Sequence, residues 1–489
     1  MSTSHNFPSD TVCCPAFHTK ASLNELSVEK PIASCGISLD ASRQRLAKKV
    51  WGMLCNLAEE KGLLEAHQRM TSGEIVNSSE SRAALHTSLR AFSPKAPYFD
   101  KVDAERRRMF DFARRVRSGE WKGCRGRRIR SVINIGIGGS AVGPHCVWQA
   151  LRPVNPEIQV HFLSAVDGIL IERILAECDP QSTLVIVSSK SFTTRETLVN
   201  ADAVDQWLLD NGIVGADREK HVVVVSANPD AAKTFGLPDK NQFRLWDWVG
   251  GRFSVWGATG LPVLLGIGEE AFLEFLRGAN EMDRHSVTAP LEKNLPAVMA
   301  LIEYRNITVL DVGSLCVLPY DERLLGFVPW LQQLEMESLG KSRKADGSLL
   351  PGRSGLPVWG GSGDEAQHSF GQWLREGTGN TAIDVIYPAV PGHSCAAQFR
   401  CLISNAKAQC EALVTRPDAA GCFNVLSSLV LDAVSPRRLG ALMALYEHKT
   451  TMLATLLGVN PFDQPAVEYG KALSEEMSRA IVRSSVSKG

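Results

Sequence analysis

INIGIGGSAVGP, residues 133–144, runs from an apolar strand into a glycine-rich turn and then into a helix. That succession opens a βα unit, and its reading decides the fold class. The strand reads as Ser131–Ile137. Three more short β-branched runs follow at Ile158–Ser164, Thr183–Ser189 and His221–Ala227, separated by helical stretches at Ala141–Leu151, Ile169–Cys178 and Glu196–Asn211. Apolar strands alternating with helices predict a parallel sheet covered on both faces.

The same alternation recurs further along. After helices at Glu269–His285 and Leu291–Asn306, strand-like Thr308–Leu318, Pro357–Trp359 and Ala382–Tyr387 interleave with helices at Leu324–Leu339, Gln367–Glu376 and Ala396–Leu413. Upstream, Ile32 to Leu89 is largely helical, with apolar spacing such as Leu46, Val50, Met53 and Leu57. Long helices at Arg437–Leu457 and Ala466–Ile481 come last. The expected organisation is a flexible extension over 1–30, a helical segment over 31–95, α/β domains over 96–268 and 269–460, and a helical segment over 461–489.

With 489 residues the chain can bury more than one core. Lys+Arg and Asp+Glu both number 53, a balance that argues against non-specific binding to nucleic acid or to an anionic membrane. No apolar run approaches the roughly 20 residues that span a bilayer. The first twenty residues lack the charged start and apolar core of a secretory signal. Twelve scattered cysteines with no C-x-x-C pair, most in apolar segments such as those of Cys316 and Cys401, predict reduced, buried thiols in a cytoplasmic protein, with neither a disulfide framework nor a zinc site.

Six segments carry chemistry. In the opening stretch Gly136, Gly138 and Gly139 let backbone N–H groups approach a ligand and Ser140 adds a hydroxyl; a purely structural tight turn fits as well. A dinucleotide fingerprint does not, because its third glycine would fall on Ala141. SSKSFTTRET, residues 188–197, packs hydroxyls and Lys190 around a helix start, a cup for a phosphate ester unless Thr193 or Thr194 merely caps the helix. DWVGGRFSVWGATGLP, residues 247–262, sets Arg252 beside Gly250 and Gly251, where it faces developing negative charge or stacks on Trp248 or Trp256. In FVPWLQQLEMESLGKS, residues 327–342, Glu337 lies near the helix end, where the dipole opposes a carboxylate; it is either a solvated last-turn acid or a general base. His368 in GDEAQHSF, and Gln464 with Lys471 in NPFDQPAVEYGK, read individually as structural or solvated residues.

Taken together and in order, these segments resemble the glucose-6-phosphate isomerase family from about residue 75 to 475. DWVGGRFSVWGATGL and the late ALYEHK…NPFDQPAVEYGK pattern carry most of the likeness. The resemblance implies an α/β fold of two sugar-isomerase (SIS-type) domains with parallel sheets flanked by helices. It implies a homodimer with shared active sites. The implied activity is the reversible aldose–ketose interconversion of glucose 6-phosphate and fructose 6-phosphate, a step of glycolysis and gluconeogenesis, through an enediolate and without metal or organic cofactor. It places the base at Glu337, the ring-opening histidine at His368 with Lys471 beside it, and the charge-stabilising arginine at Arg252. The phosphate loop falls on Ser189, Ser191, Thr194 and Thr197 with Lys190 adjacent. Gly139, Ser140, Gly251, Gln333 and Gln464 match positions that contact substrate.

The chain departs from the family pattern at Ala141 after GGS, Ala165 before VDG, Leu339 after MES, and GDEAQH before the histidine helix. These bear on rate and substrate tolerance more than on reaction type. Two other readings are a dual phosphoglucose/phosphomannose isomerase and a sugar-phosphate sensor that binds without catalysis. A sensor would usually add a basic recognition segment, which this sequence lacks.

Overall fold

The computed structural model describes residues 31–415, 424–467, 469–470, 473–474 and 476–477. Strands are numbered in chain order. An antiparallel hairpin comes first, β1 (Ile32–Ser34) and β2 (Ile37–Asp40), then a small pair, β3 (Ile75–Asn77) and β4 (Arg82–Ala83). The first main sheet contains β5 (Ser131–Ile135), β6 (Gln159–Leu163), β7 (Thr183–Ser188), β8 (Val222–Ser226) and β9 (Gln242–Arg244), ordered β6-β5-β7-β8-β9 and parallel throughout. The second contains β10 (Ser314–Pro319), β11 (Val358–Gly360), β12 (Thr381–Pro388) and β13 (Asn424–Leu431) in the parallel order β11-β10-β12-β13, with the β2-β1 hairpin added antiparallel at the β13 edge.

Strand order reverses between β5 and β7, so their carboxyl ends open a crevice of the kind in which α/β sheets bind ligands. Register places it: Ile135 pairs with Val187, so the turns after both strands leave the sheet side by side. Every residue of β5, β7 and β8 is buried, as their continuous apolar runs require for a sheet covered on both faces.

The Pro436–Leu457 helix is buried on all sides from Leu439 to Ala454. It packs against the Glu269–Thr288 helix at paired glycines: a Cβ on Gly440 would fall 2.0 Å from the Phe275 carbonyl oxygen, and one on Gly278 would meet that of Arg437 at 1.7 Å. Backbones approach this closely only where no side chain intervenes.

Four local readings differ from the structure. The helical pattern from Ile32 begins instead with the β1-β2 hairpin, because Ile37 and Leu39 alternate inward and find an edge at β13. The strand expected at Thr308–Leu318 starts at Ser314, because the Leu295–Thr308 helix takes the first of those residues and an irregular turn, with Asp311 at φ 48°, precedes the strand. Gln367–Glu376 is divided between two short helices, Gly363–Ser369 and Gly371–Glu376. Cys316 is buried as expected, but Cys401 is exposed on the outer face of the Ala396–Ala412 helix. The helix read at Ala466–Ile481 falls largely outside the described residues. Among the described residues no helix is long and apolar enough to cross a membrane.

Candidate active site

The crevice at the β5/β7 ends is lined first by the glycine turn. Gly139 approaches the Gly250-Gly251-Arg252 turn so closely that its Cβ would sit 2.1 Å from the Gly251 carbonyl carbon. The two glycine segments of the sequence thus form one surface. Ser140, half-buried, follows on it.

The hydroxyl loop lies alongside. Phe192 adopts φ 59°, a left-handed conformation uncommon for a bulky residue, and turns its ring into the core against Phe235. That anchor presents Ser191 and Thr193 outward, 2.7 Å apart, while Ser189 Oγ bonds to Thr194 Oγ1 at 3.3 Å and accepts from the Phe192 amide at 3.2 Å. Thr194 occupies the N-cap of the 16-residue Arg195–Asp210 helix without capping it through its side chain. The alternative of a simple capped helix is therefore not realised at Thr194, and the hydroxyls of Ser189, Ser191, Thr193 and Thr194 pair with one another at that helix start. Thr197 is buried one turn further on. Lys190 uses two of its N–H groups on the Asp247 and Val249 carbonyls, at 2.9 and 2.8 Å; burial lowers its pKa.

Arg252 is the centre of the opposite wall. Its Nη1 donates to Glu337 Oε2 at 2.9 Å and to Gln464 Oε1 at 3.0 Å, and its Nε to Ser338 Oγ at 2.8 Å. Its Nη2 donates to the Pro461 carbonyl and, at 3.4 Å, to that of Asp463. Stacking on a tryptophan is not its role, because Trp256 carries Arg90 and Trp248 lies between Tyr98 and Trp246. Burial pulls the arginine pKa down, Glu337 opposes it, and the guanidinium is a desolvated cation. The Arg252 side chain is 1% exposed against 31% for Glu337, so the cation is fixed while the carboxylate is open to a ligand. Glu337 stands in the last turn of the Phe327–Leu339 helix, and Gln333, one turn earlier, faces Gly138. Gln333 Oε1 is buried without a protein partner among the described residues, as befits an oxygen that meets a ligand.

Glu337, Arg252, Gln333, Gln464, Gly139 and Gly251 are thus connected within one chain. His368 is not joined to them: it is exposed at the end of the Gly363–Ser369 helix, and no described residue hydrogen-bonds or ion-pairs with its ring. Lys471 lies outside the described residues.

Sequence reasoning missed the buried charges behind the site. Glu335, two residues before Glu337, accepts from Lys449 at 2.8 Å, and Lys449 also pairs with Glu303. Glu447 takes Arg90 and, at 2.9 Å, Trp256; His448 meets Asp283 at 2.7 Å. The consecutive Glu447-His448-Lys449 of the ALYEHK motif was the visible signal, since three polar residues in an apolar helical run require buried partners.

Comparison with known proteins finds relatives over nearly the whole chain. A family model described as phosphoglucose isomerase matches residues 40–421 and 424–488. The chain is 43% identical over 476 residues to the glucose-6-phosphate isomerase of Paraburkholderia xenovorans, covering 93% of this chain and 88% of that protein. It is 44% identical over 473 residues to that of Burkholderia ambifaria, covering 92% and 87%. The crystal structure of a glucose-6-phosphate isomerase from Chlamydia trachomatis superposes with a TM-score of 0.83 at 29% identity, covering 95% of this chain and 92% of the other. With a family match over nearly the whole length and the same architecture in a solved relative, this chain belongs to the phosphoglucose isomerase family.

Proposed function

We propose that the family's reaction, interconversion of glucose 6-phosphate and fructose 6-phosphate, is carried here by Glu337 as base and Arg252 as charge stabiliser, with His368 and Lys471 opening the ring. The observation that carries this reading is the Arg252–Glu337 pair, a fixed buried cation 2.9 Å from a half-exposed carboxylate. Glu337 removes the proton from C2 and returns it to C1 while the O2 hydroxyl proton passes to O1, so that in between negative charge leaves the carboxylate and appears on the enediolate oxygen. Arg252, 2.9 Å from that carboxylate, would stabilise the new charge and cannot itself exchange the proton.

The cup of Ser189, Ser191, Thr194 and Thr197, with Lys190 adjacent, holds the phosphate. That remote binding energy sets the reacting carbons against Glu337. Gln333 and Gln464 receive sugar hydroxyls along with Gly139, Ser140 and Gly251. His368 exchanges the ring-opening proton, as imidazole does near neutrality, and its exposed place supports action in a partner's site within a cytoplasmic homodimer.

Glu337→Gln keeps the shape and cannot accept the proton. In an assay that couples glucose 6-phosphate formation to added glucose-6-phosphate dehydrogenase, kcat should fall by about 10²–10⁴-fold with folding unchanged. A variant that keeps more than roughly a tenth of the native kcat removes Glu337 from the role.

A further inference from the structure

Arg252 has five N–H donors, and three of its acceptors come from one irregular stretch, Asn460–Gln464: the Pro461 and Asp463 carbonyls and Gln464 Oε1. This stretch follows the Pro436–Leu457 helix and has no strand or helix ladder to fix it. Its carbonyls stand where side-chain tethers put them.

Those tethers converge on Asp463. Its Oδ1 pairs with Lys341 Nζ at 2.8 Å, and the same ammonium donates to the Asp463 carbonyl, the oxygen that Arg252 also uses. Its Oδ2 accepts from Ser79 Oγ at 2.5 Å and from Asn460 Nδ2 at 3.1 Å. Asn460 in turn bonds Asn77 Oδ1 at 2.9 Å and accepts from the Phe462 amide at 3.1 Å. The knot reaches the base helix directly, because Lys341 comes just after Gly340, whose amide closes that helix on the Met336 carbonyl. At 11% and 19% side-chain exposure the Lys341–Asp463 pair is largely shielded from water, where an ion pair holds geometry better than at the surface.

We propose that Lys341 and Asp463 are positioning residues of the isomerisation, their ion pair holding the Asn460–Gln464 stretch against the end of the base helix so that Arg252 faces Glu337 in the productive geometry. This inference rests on the roles proposed for Arg252 and Glu337. Neither Lys341 nor the Asp463 carboxylate contacts the reacting carbons in it. They act through the guanidinium, whose stabilising effect is realised as charge develops. Loosening it therefore costs turnover and leaves phosphate-driven binding intact.

The test compares kcat and KM for fructose 6-phosphate, with Tm, in Lys341→Met, Asp463→Asn, their double variant, Lys341→Arg and, as reference, Arg252→Gln. Each single loss should lower kcat about tenfold or more, with KM within about threefold and Tm lowered by only a few degrees. The double variant should be no slower than the slower single, since both changes break one pair, and Lys341→Arg should recover most of the turnover. Native kcat in either single variant, a change confined to KM, unfolding at 25 °C, additive losses, or Lys341→Arg as slow as Lys341→Met would each overturn the inference. If Arg252→Gln itself keeps native kcat, the reading of Arg252 fails. If it is inactive while the pair variants are fully active, only the positioning role falls.

Discussion

Gly139 and Gly251 touch backbone to backbone, and a single methyl on Gly139 would land 2.1 Å from the Gly251 carbonyl carbon. Residues 112 apart in sequence thereby bring the glycine turn after β5 against the turn that aims Arg252. Gly139→Ala must push one turn off the other, and Arg252 moves with it. We expect kcat to fall about tenfold or more and Tm to drop by several degrees. Gly126→Ala, where a Cβ meets nothing within 4 Å but φ is 70°, controls for backbone strain alone and should leave kcat unchanged. Native turnover in Gly139→Ala would show that the two turns can separate without consequence.

Thr194 bonds Ser189 Oγ without capping its helix, which leaves its hydroxyl at the cup proposed for the phosphate. Thr194→Ala should raise KM for fructose 6-phosphate about tenfold, the value of one hydrogen bond to a charged group, with a smaller change in kcat. Unphosphorylated fructose, assayed at high concentration, should be handled no worse than by the native enzyme. An equal loss with both sugars would remove Thr194 from phosphate recognition.

His368 stands exposed and unpaired within its own chain, among the described residues. Mixing inactive Glu337→Gln and His368→Ala chains with subunit exchange should regenerate activity. Each hybrid dimer then holds one site with both residues intact and one with neither. Verified hybrids without activity would place His368 and Glu337 in one subunit's site.

Glu335 is pushed up to about 8 by burial, with Lys449 opposing and Glu303 adding to the rise. From its ordinary value of 4.5 up to that pH the folded chain keeps the proton that the unfolded chain releases, so the group destabilises the fold progressively as pH rises through the window. Glu335→Gln retains an oxygen for Lys449 and removes the titration. Its Tm advantage over the native chain should therefore grow between pH 5 and pH 8, by roughly a few degrees. A gap that stays constant or shrinks over that range would mean that Glu335 is ionised in the folded chain at neutral pH.

Lys449 lies at the centre of the same cluster, its ammonium held charged by Glu303, Glu335 and Asp384 against the effect of burial. Lys449→Met should destabilise strongly, by about 3–5 kcal/mol in denaturant unfolding at pH 8, because it leaves the buried carboxylates of Glu303 and Asp384 without their cation. A loss below about 1 kcal/mol would show that the carboxylates are already neutral without it.

The sequence by itself determined the α/β class and the family. Strands such as Thr183–Ser188 carry an unbroken apolar run, Leu184–Val187, which a doubly covered sheet accommodates, and glycines and hydroxyls follow the strands where such sheets bind ligands. It left Arg252 and Glu337 each with a bland alternative, because local sequence cannot say what a side chain meets 85 residues away. Tertiary structure decided that: Arg252 draws Glu337, Ser338, Pro461 and Gln464 onto one guanidinium, and a buried cation requires partners wherever in the chain they arise. It likewise decided that β2 closes the edge of β13 across almost 400 residues, and that Glu335 turns into the core while Glu337, two residues on, faces the crevice. On a helix two residues are separated by about 200°, so neighbours in sequence can stand in opposite environments, and only the packing around them assigns each one its chemistry.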